Sequence, residues 1–231
     1  MRYADRLANR FSPRTEAGTP PVTGGLFKRG FDIAGALAGI VLLSPLLLML
    51  AALVKFSDGG RIFYGHRRIG RNGAVFRCWK FRTMVENGDE VLMAYLAANP
   101  AEREEWSASR KLQNDPRVTR VGVVLRKLSL DELPQVLNIL RGEMSWIGPR
   151  PEAVPLAQWY EKELSFYRYR HIVRPGISGW AQINQGHVTE VDQIRDKLHY
   201  DFYYIKNFSP WLDVLIAFRT VAIMVSGFGS R

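Results

Sequence analysis

Phe31 to Val54 reads FDIAGALAGIVLLSPLLLMLAALV, and no other stretch constrains the chain so strongly. Asp32 is its only charge. Its 24 residues, rising about 1.5 Å each as a helix, are long enough for a bilayer core of about 30 Å. Two features oppose a simple span. Ser44-Pro45 sits near the middle, where proline removes a backbone donor and disfavours helical geometry in the residue before it. Both flanks are cationic, with Lys28 and Arg29 before and Lys55, Arg61, Arg67, Arg68 and Arg71 after. A spanning helix would leave one basic flank outside, against the positive-inside tendency. A helix–break–helix hairpin at Ser44-Pro45, entering and leaving by the cytoplasmic face, is the expectation, provided the freed backbone groups find partners, and a Pro-kinked spanning helix is the alternative.

Residues 1–25 are rich in Pro, Gly, Thr and Arg and lack apolar periodicity, so they read as a flexible basic tail. No small-residue cleavage site follows the apolar run, unlike a secretory signal. The formal charge of +10 over 231 residues calls for anionic partners. No nucleic-acid module is recognisable, and nucleic acid leaves the apolar run unexplained, so none is expected as a partner. The single cysteine, Cys78, forbids an internal disulfide and reads as a small buried hydrophobe. Four scattered histidines offer no zinc cluster.

After the apolar run, Asn72-Gly73 lies between two β-leaning stretches and predicts a hairpin, because both residues tolerate positive φ. Alternation on the second strand places Phe76, Cys78, Lys80 and Arg82 on one face. Lys80 and Arg82 are then either a clamp for phosphate oxygens or two solvated strand charges. Residues 86–110 read as an acidic helical excursion interrupted at Asn99-Pro100.

Asp131 and Glu132 stand in LSLDELPQ, with Arg126 and Lys127 before them and Arg141 and Arg150 after. Two readings are open. Ser129 to Glu132 fits a capping box, with Ser129 as N-cap. Alternatively Pro134 is the first helical residue and both carboxylates lie at the positive helix entrance. There Asp131 stays ionised and nucleophilic, and Glu132 is free for a divalent cation.

Gly148-Pro149-Arg150-Pro151 is a stiff turn presenting Arg150, and Arg174-Pro175-Gly176 repeats that logic. Gln182 and Asn184 suit either a nucleotide edge or loop backbone groups. Asp201, among aromatics, is a structural acceptor or a metal or substrate contact. Ser209-Pro210 opens an apolar helix over 209–231, with Ser as N-cap and Pro at the first position. That helix suits the membrane interface or, in a homodimer, a second copy of the chain.

Four blocks carry a resemblance: KFRTM (Lys80 to Met84), LRKLSLDELPQVLNIL (Leu125 to Leu140), GEMSWIGPRP (Gly142 to Pro151) and RPGISGWAQI (Arg174 to Ile183). In this order they resemble the bacterial polyprenyl-phosphate sugar phosphotransferases, the small monotopic phosphoglycosyl transferases of exopolysaccharide and glycan assembly. The likeness runs from about Phe27 to the C-terminus, outside the tail.

The resemblance implies a helix-rich α+β fold. Its parts are a re-entrant membrane hairpin over 26–57, a cytosolic catalytic domain over 58–208 with a small β-hairpin, and membrane-interface helices. The site is the bacterial inner membrane, with the catalytic domain on the cytoplasmic face. Asp131 would attack the β-phosphorus of a UDP-sugar and expel UMP. Polyprenyl phosphate would then take the sugar phosphate from the aspartate, with Glu132 holding Mg²⁺. Lys80, Arg82, Arg150 and Arg174 become phosphate contacts. The segment Val54 to Gly70 is closest to galactosyl- or glucosyl-phosphate transferases. Direct transfer in a ternary complex and a non-enzymatic lipid-binding protein are the competing readings.

Overall fold

The computed structural model describes residues 24–109, 112, 114–164, 166–185 and 191–226; most of the expected tail lies outside them. The fold is helix-rich α+β. Helix α1 is Gly25–Asp58, the hairpin strands are β1 (Phe63–Ile69) and β2 (Val75–Phe81), and α2 (Gly88–Ala98), α3 (Pro100–Ser109) and α4 (Arg120–Lys127) follow. A 3₁₀ turn, Leu130–Gln135, leads into α5 (Val136–Arg141). Then come β3 (Ser145–Ile147), α6 (Val154–Glu163), a 3₁₀ turn (Tyr167–Ile172) and β4 (Gly176–Ser178). Helices α7 (Trp180–Gln185), α8 (Val191–Lys206) and α9 (Pro210–Ser226) complete the described chain.

At Ser44-Pro45, where the hairpin break is expected, the helical assignment is continuous. Gly25–Asp58 is one helix of 34 residues with Pro45 inside it. Proline deletes a single amide donor, and helical hydrogen bonding resumes on either side of that gap. The helix is apolar on its open face, with Val41 (72%), Leu42 (78%) and Leu48 (72%) largely exposed. It is long and apolar enough to cross a membrane.

Two compact units emerge. One, the carboxylate unit, comprises Leu42–Tyr64 and Trp79–Pro134. Its core joins Leu50 and Val54 of α1 to Phe81 and Leu125, flanked by Leu46, Leu47, Ile62, Val121, Leu130 and Leu133. The α1 residues recur at helical spacing and so form one buried stripe. Thr119 starts α4 by accepting the Gly122 amide at 2.9 Å. A Cβ on Gly122 would stand 2.2 Å from the Thr83 carbonyl oxygen, so only glycine lets α4 lie this close to the end of β2. The acidic excursion is helical with its interruption as expected, Asn99 (φ −129°, ψ 89°) leaving helical geometry before Pro100.

The other, the sheet unit, comprises the chain to Val41, Gly65–Cys78 and Gln135 onward. Here β3 and β4 pair in parallel, Ser145 opposite Gly176 and Ile147 opposite Ser178. A parallel pair needs a long crossover, and α6 with its 3₁₀ turn supplies it. One core unites Ile69, Tyr160, Leu164, Tyr167, Ile194, Leu198 and Phe202. Another gathers Ala36, Phe76, Cys78, Val136, Ile139 and Met144. Cys78 is the buried hydrophobe expected of it. The hairpin turn forms at Asn72 (φ 55°) and Gly73 (φ 79°). Ser209 caps α9 by accepting the Leu212 amide at 3.1 Å. Ile216 is fully buried, whereas Trp211 and Phe218 are exposed on the other side of α9.

Buried Asp32 ties α1 into the sheet unit. It accepts from Ser145 Oγ at 2.9 Å and from the Trp146 amide at 3.2 Å. Lys28, one turn earlier, pairs with Asp213 of α9 at 2.5 Å. The only charge in the apolar run is thus satisfied inside the protein.

Candidate active site

The carboxylate unit brings three of the expected residues together. Lys80, near the end of β2, places Nζ 3.1 Å from Asp131 Oδ2 and 2.7 Å from Glu132 Oε1. Both carboxylates begin the 3₁₀ turn, and Leu130 and Leu133 on either side of them are packed into the core. The turn is thereby anchored through its apolar residues while the acidic pair faces the lysine. The Asp131 and Glu132 side chains keep 10% and 17% of their surface and that of Lys80 keeps 21%. The cluster is partly dry but reachable, which strengthens its electrostatics without sealing it.

Neither local reading of the carboxylates holds as stated. Ser129 has φ 55°, a left-handed conformation that ends α4, whereas an N-cap residue is extended. The capping box is therefore corrected. Pro134 lies inside the 3₁₀ turn, and α5 begins only at Val136. A 3₁₀ turn tolerates the missing amide because proline's own φ suits it.

Arg82 follows the last residue of β2 and is almost fully buried. Its Nη2 donates to Asp58 Oδ1, and Nη1 stands 3.7 Å from Glu86. Gly60 makes room for it, since a Cβ there would overlap the guanidinium. Lys80 and Arg82 therefore do not form the expected side-by-side clamp. The strand alternation stops at Phe81, which turns into the core. Asp58, the partner that absorbs Arg82, gave no signal beyond its place at the end of the apolar helix.

The remaining expected residues belong to the sheet unit. The Gly148–Pro151 loop is pinned by backbone bonds from Gly148 N to Ser178 O (2.9 Å) and from Gly176 N to Pro149 O (3.0 Å). Arg170 Nη2 donates to the Arg150 carbonyl at 2.9 Å, and Arg68 donates to the Pro151 carbonyl. Glycines at 148 and 176 are required, because a Cβ on Gly176 would stand 2.1 Å from the Gly148 nitrogen. Arg150 is thus presented from a rigid loop, as its prolines suggest. Arg174 Nε donates to the Gly142 carbonyl at 2.8 Å.

Asp201 takes the structural alternative. It is 1% exposed and lies 2.7 Å from Arg170 Nη2. Burial works against the Arg170 charge, yet contact with Asp201, aided by Tyr167 and Glu152, holds the guanidinium pKa above its ordinary value. Gln182 and Asn184 serve backbone groups, donating to the carbonyls of Ile177 (2.9 Å) and Trp180 (2.7 Å). Sequence reasoning missed Arg170. Its signal was one arginine among several in YRYRHIVR, which nothing local separates from its neighbours.

A divalent cation is compatible with the acidic pair only in a particular form. Among the described residues no group of three or more His, Cys, Asp or Glu side chains converges. An ion beside Glu132 would take its other ligands from diphosphate oxygens and water, the usual habit of Mg²⁺.

The family description "Bacterial sugar transferase" matches residues 23–227. The chain is 48% identical over 233 residues to the exopolysaccharide production protein ExoY of Rhizobium meliloti (strain 1021), covering 100% of both. It is 47% identical over 204 residues to an Aeromonas hydrophila UDP-N-acetylgalactosamine-undecaprenyl-phosphate N-acetylgalactosaminephosphotransferase, covering 88% of this chain and 45% of that one. It is 40% identical over 199 residues to the Escherichia coli (strain K12) UDP-glucose:undecaprenyl-phosphate glucose-1-phosphate transferase, covering 85% and 39%.

Proposed function

We propose that this chain, which belongs to the bacterial sugar transferase family, moves a sugar 1-phosphate from a UDP-sugar to polyprenyl phosphate through a covalent aspartyl intermediate. The observation that carries the reading is the Lys80 ammonium held between Asp131 and Glu132. An exposed carboxylate pair on a surface needs no shared cation held between its members. A nucleophilic carboxylate that must approach a dianionic diphosphate does, because phosphoryl transfer depends on positioning and charge neutralisation.

In the first step an Asp131 oxygen attacks the β-phosphorus of the UDP-sugar. The bond from that phosphorus to the oxygen shared with the α-phosphate breaks, and UMP leaves with the electron pair. Lys80 orients the carboxylate and, as the acyl phosphate forms, offers its N–H groups to phosphoryl oxygens. In the second step a phosphate oxygen of the lipid attacks the same phosphorus and the Asp131–phosphorus bond breaks. Polyprenyl-diphosphate-sugar departs and the carboxylate is restored. Two steps suit a water-soluble donor and a lipid acceptor that need not meet in one complex. Mg²⁺, when bound through Glu132, would supply charge neutralisation for the diphosphate.

The membrane setting follows from α1, whose exposed apolar surface suits lipid. Re-entry, with both basic flanks on the cytoplasmic face of the inner membrane, requires α1 to bend at Pro45, the one residue whose missing amide permits a kink. UDP-galactose and UDP-glucose are the favoured donors. UMP release from a panel of UDP-sugars, with and without polyprenyl phosphate, tests the reading. Lipid-dependent turnover of one donor supports it, and no UMP from any donor in folded protein contradicts it.

A further inference from the structure

Two guanidiniums converge on the C-terminal turn of α5. Arg29 Nη1 and Nη2 donate to the carbonyls of Ile139 (2.6 Å) and Leu140 (2.9 Å), and Arg174 Nε donates to Gly142 (2.8 Å). A helix C-terminus attracts cations, which accounts for their placement but not for a third. The third is Arg71, in the hairpin turn. Gly70 just before it lines the same small cavity as Val173 and Pro175, the residues on either side of Arg174. The Arg71 Nε is buried and has no hydrogen-bond partner. Burial first, and then repulsion from Arg29 and Arg71, lowers the Arg174 pKa, with Asp32 alone opposing. Asp32 is already engaged by Ser145 and the Trp146 amide. Like charges gathered in a half-buried place, one with an orphaned N–H, call for an anion.

The depth of the cluster says which kind. Arg29 stands in the second turn of α1, between Leu26 (91% exposed), Phe27 (71%) and Phe31 (69%). Apolar side chains open on either side of a guanidinium place that guanidinium at headgroup level, with its neighbours in hydrocarbon. Arginine forks match phosphate oxygens in pairs. We propose that Arg29, Arg71 and Arg174 bind a lipid phosphate headgroup, which on the transferase reading above is the phosphate of the acceptor polyprenyl phosphate as it first docks, before it leaves them to attack at Asp131.

Native mass spectrometry of the full chain in detergent, titrated with polyprenyl phosphate, phosphatidylglycerol or inorganic phosphate, tests this without donor or turnover. Wild type is expected to retain polyprenyl phosphate in preference to the other two. Arg71→Gln, checked for folding by thermal melting, should weaken that binding about tenfold, the loss of one charge-assisted contact. Unchanged binding by Arg71→Gln overturns the site. Equal retention of phosphatidylglycerol, or displacement by inorganic phosphate at the lipid's concentration, overturns the acceptor as its ligand. Should Arg71→Gln unfold, Arg71→Lys, which keeps the charge and loses the fork, decides by the same criterion. A chain that releases UMP yet binds lipid equally in both forms loses only this site. A chain that binds lipid through Arg71 and never releases UMP loses only the transferase reading.

Discussion

Lys80 Nζ lies 3.1 Å from Asp131 Oδ2, and the same ammonium lies 2.7 Å from Glu132 Oε1. One cation at the end of β2 thus organises both members of an acidic pair that arrives from a different part of the chain. If Asp131 is the nucleophile, Lys80 neutralises charge where charge builds up. Lys80→Met is expected to lower kcat for UMP release by about 100-fold or more, the scale for losing one preorganised donor. Lys80→Arg should recover part of it. Circular dichroism checks that both variants fold. Full activity in Lys80→Met would remove the lysine from the chemistry.

Arg170 and Asp201 form a buried ion pair behind the Arg150 loop. Asp201→Ala strands the guanidinium and should cost about 3–5 kcal/mol of stability. Replacing both partners together, Arg170→Met with Asp201→Leu, should lose much less. Thermal melting of single and double variants measures the difference, and a double variant as unstable as the single one contradicts the pairing.

His171 sets a pH dependence. Burial first, then Arg170, lowers its pKa to about 3, against Glu152, with Glu161 at 3.7 Å and Tyr167 edge-on beside it. The folded ring stays neutral while the unfolded chain takes up a proton below about 6.5. Stability from this group is therefore complete above pH 6.5 and falls as pH drops toward 3. By about pH 5 the loss reaches roughly 2 kcal/mol. His171→Asn should flatten that part of the stability profile, measured by denaturant unfolding between about pH 5 and pH 7.

Gly122→Ala drives a Cβ to 2.2 Å from the Thr83 carbonyl oxygen, backbone that cannot yield cheaply. A loss of about 1–3 kcal/mol or more is expected, read as a lower melting temperature. An unchanged melting temperature would mean that α4 does not lie against the end of β2.

Features encoded locally were legible in the sequence. The Asn72-Gly73 turn, the Ser209 cap, the interruption at Pro100 and the apolar helix each rest on residues that act on their own backbone. The acidic pair stood out because its cationic neighbours are close in sequence. What could not be read depends on distant partners. Arg82 looked like a clamp beside Lys80 by alternation, but Asp58 takes its guanidinium and Gly60 provides the space. Asp201 had two readings until the fold placed Arg170 against it. Ser129 fits a capping box by spacing alone, yet its left-handed φ assigns it to the end of α4. The parallel pairing of β3 with β4 brings Gly148 against Gly176 across a crossover that short strands do not announce.

A covalent aspartyl intermediate on Asp131 is tested most directly by the UMP released when the chain meets a UDP-sugar with no polyprenyl phosphate present. A rapid burst equimolar with protein that then stops is expected, with no burst from Asp131→Asn. UMP that appears only when the lipid is added, or an undiminished burst from Asp131→Asn, would contradict it.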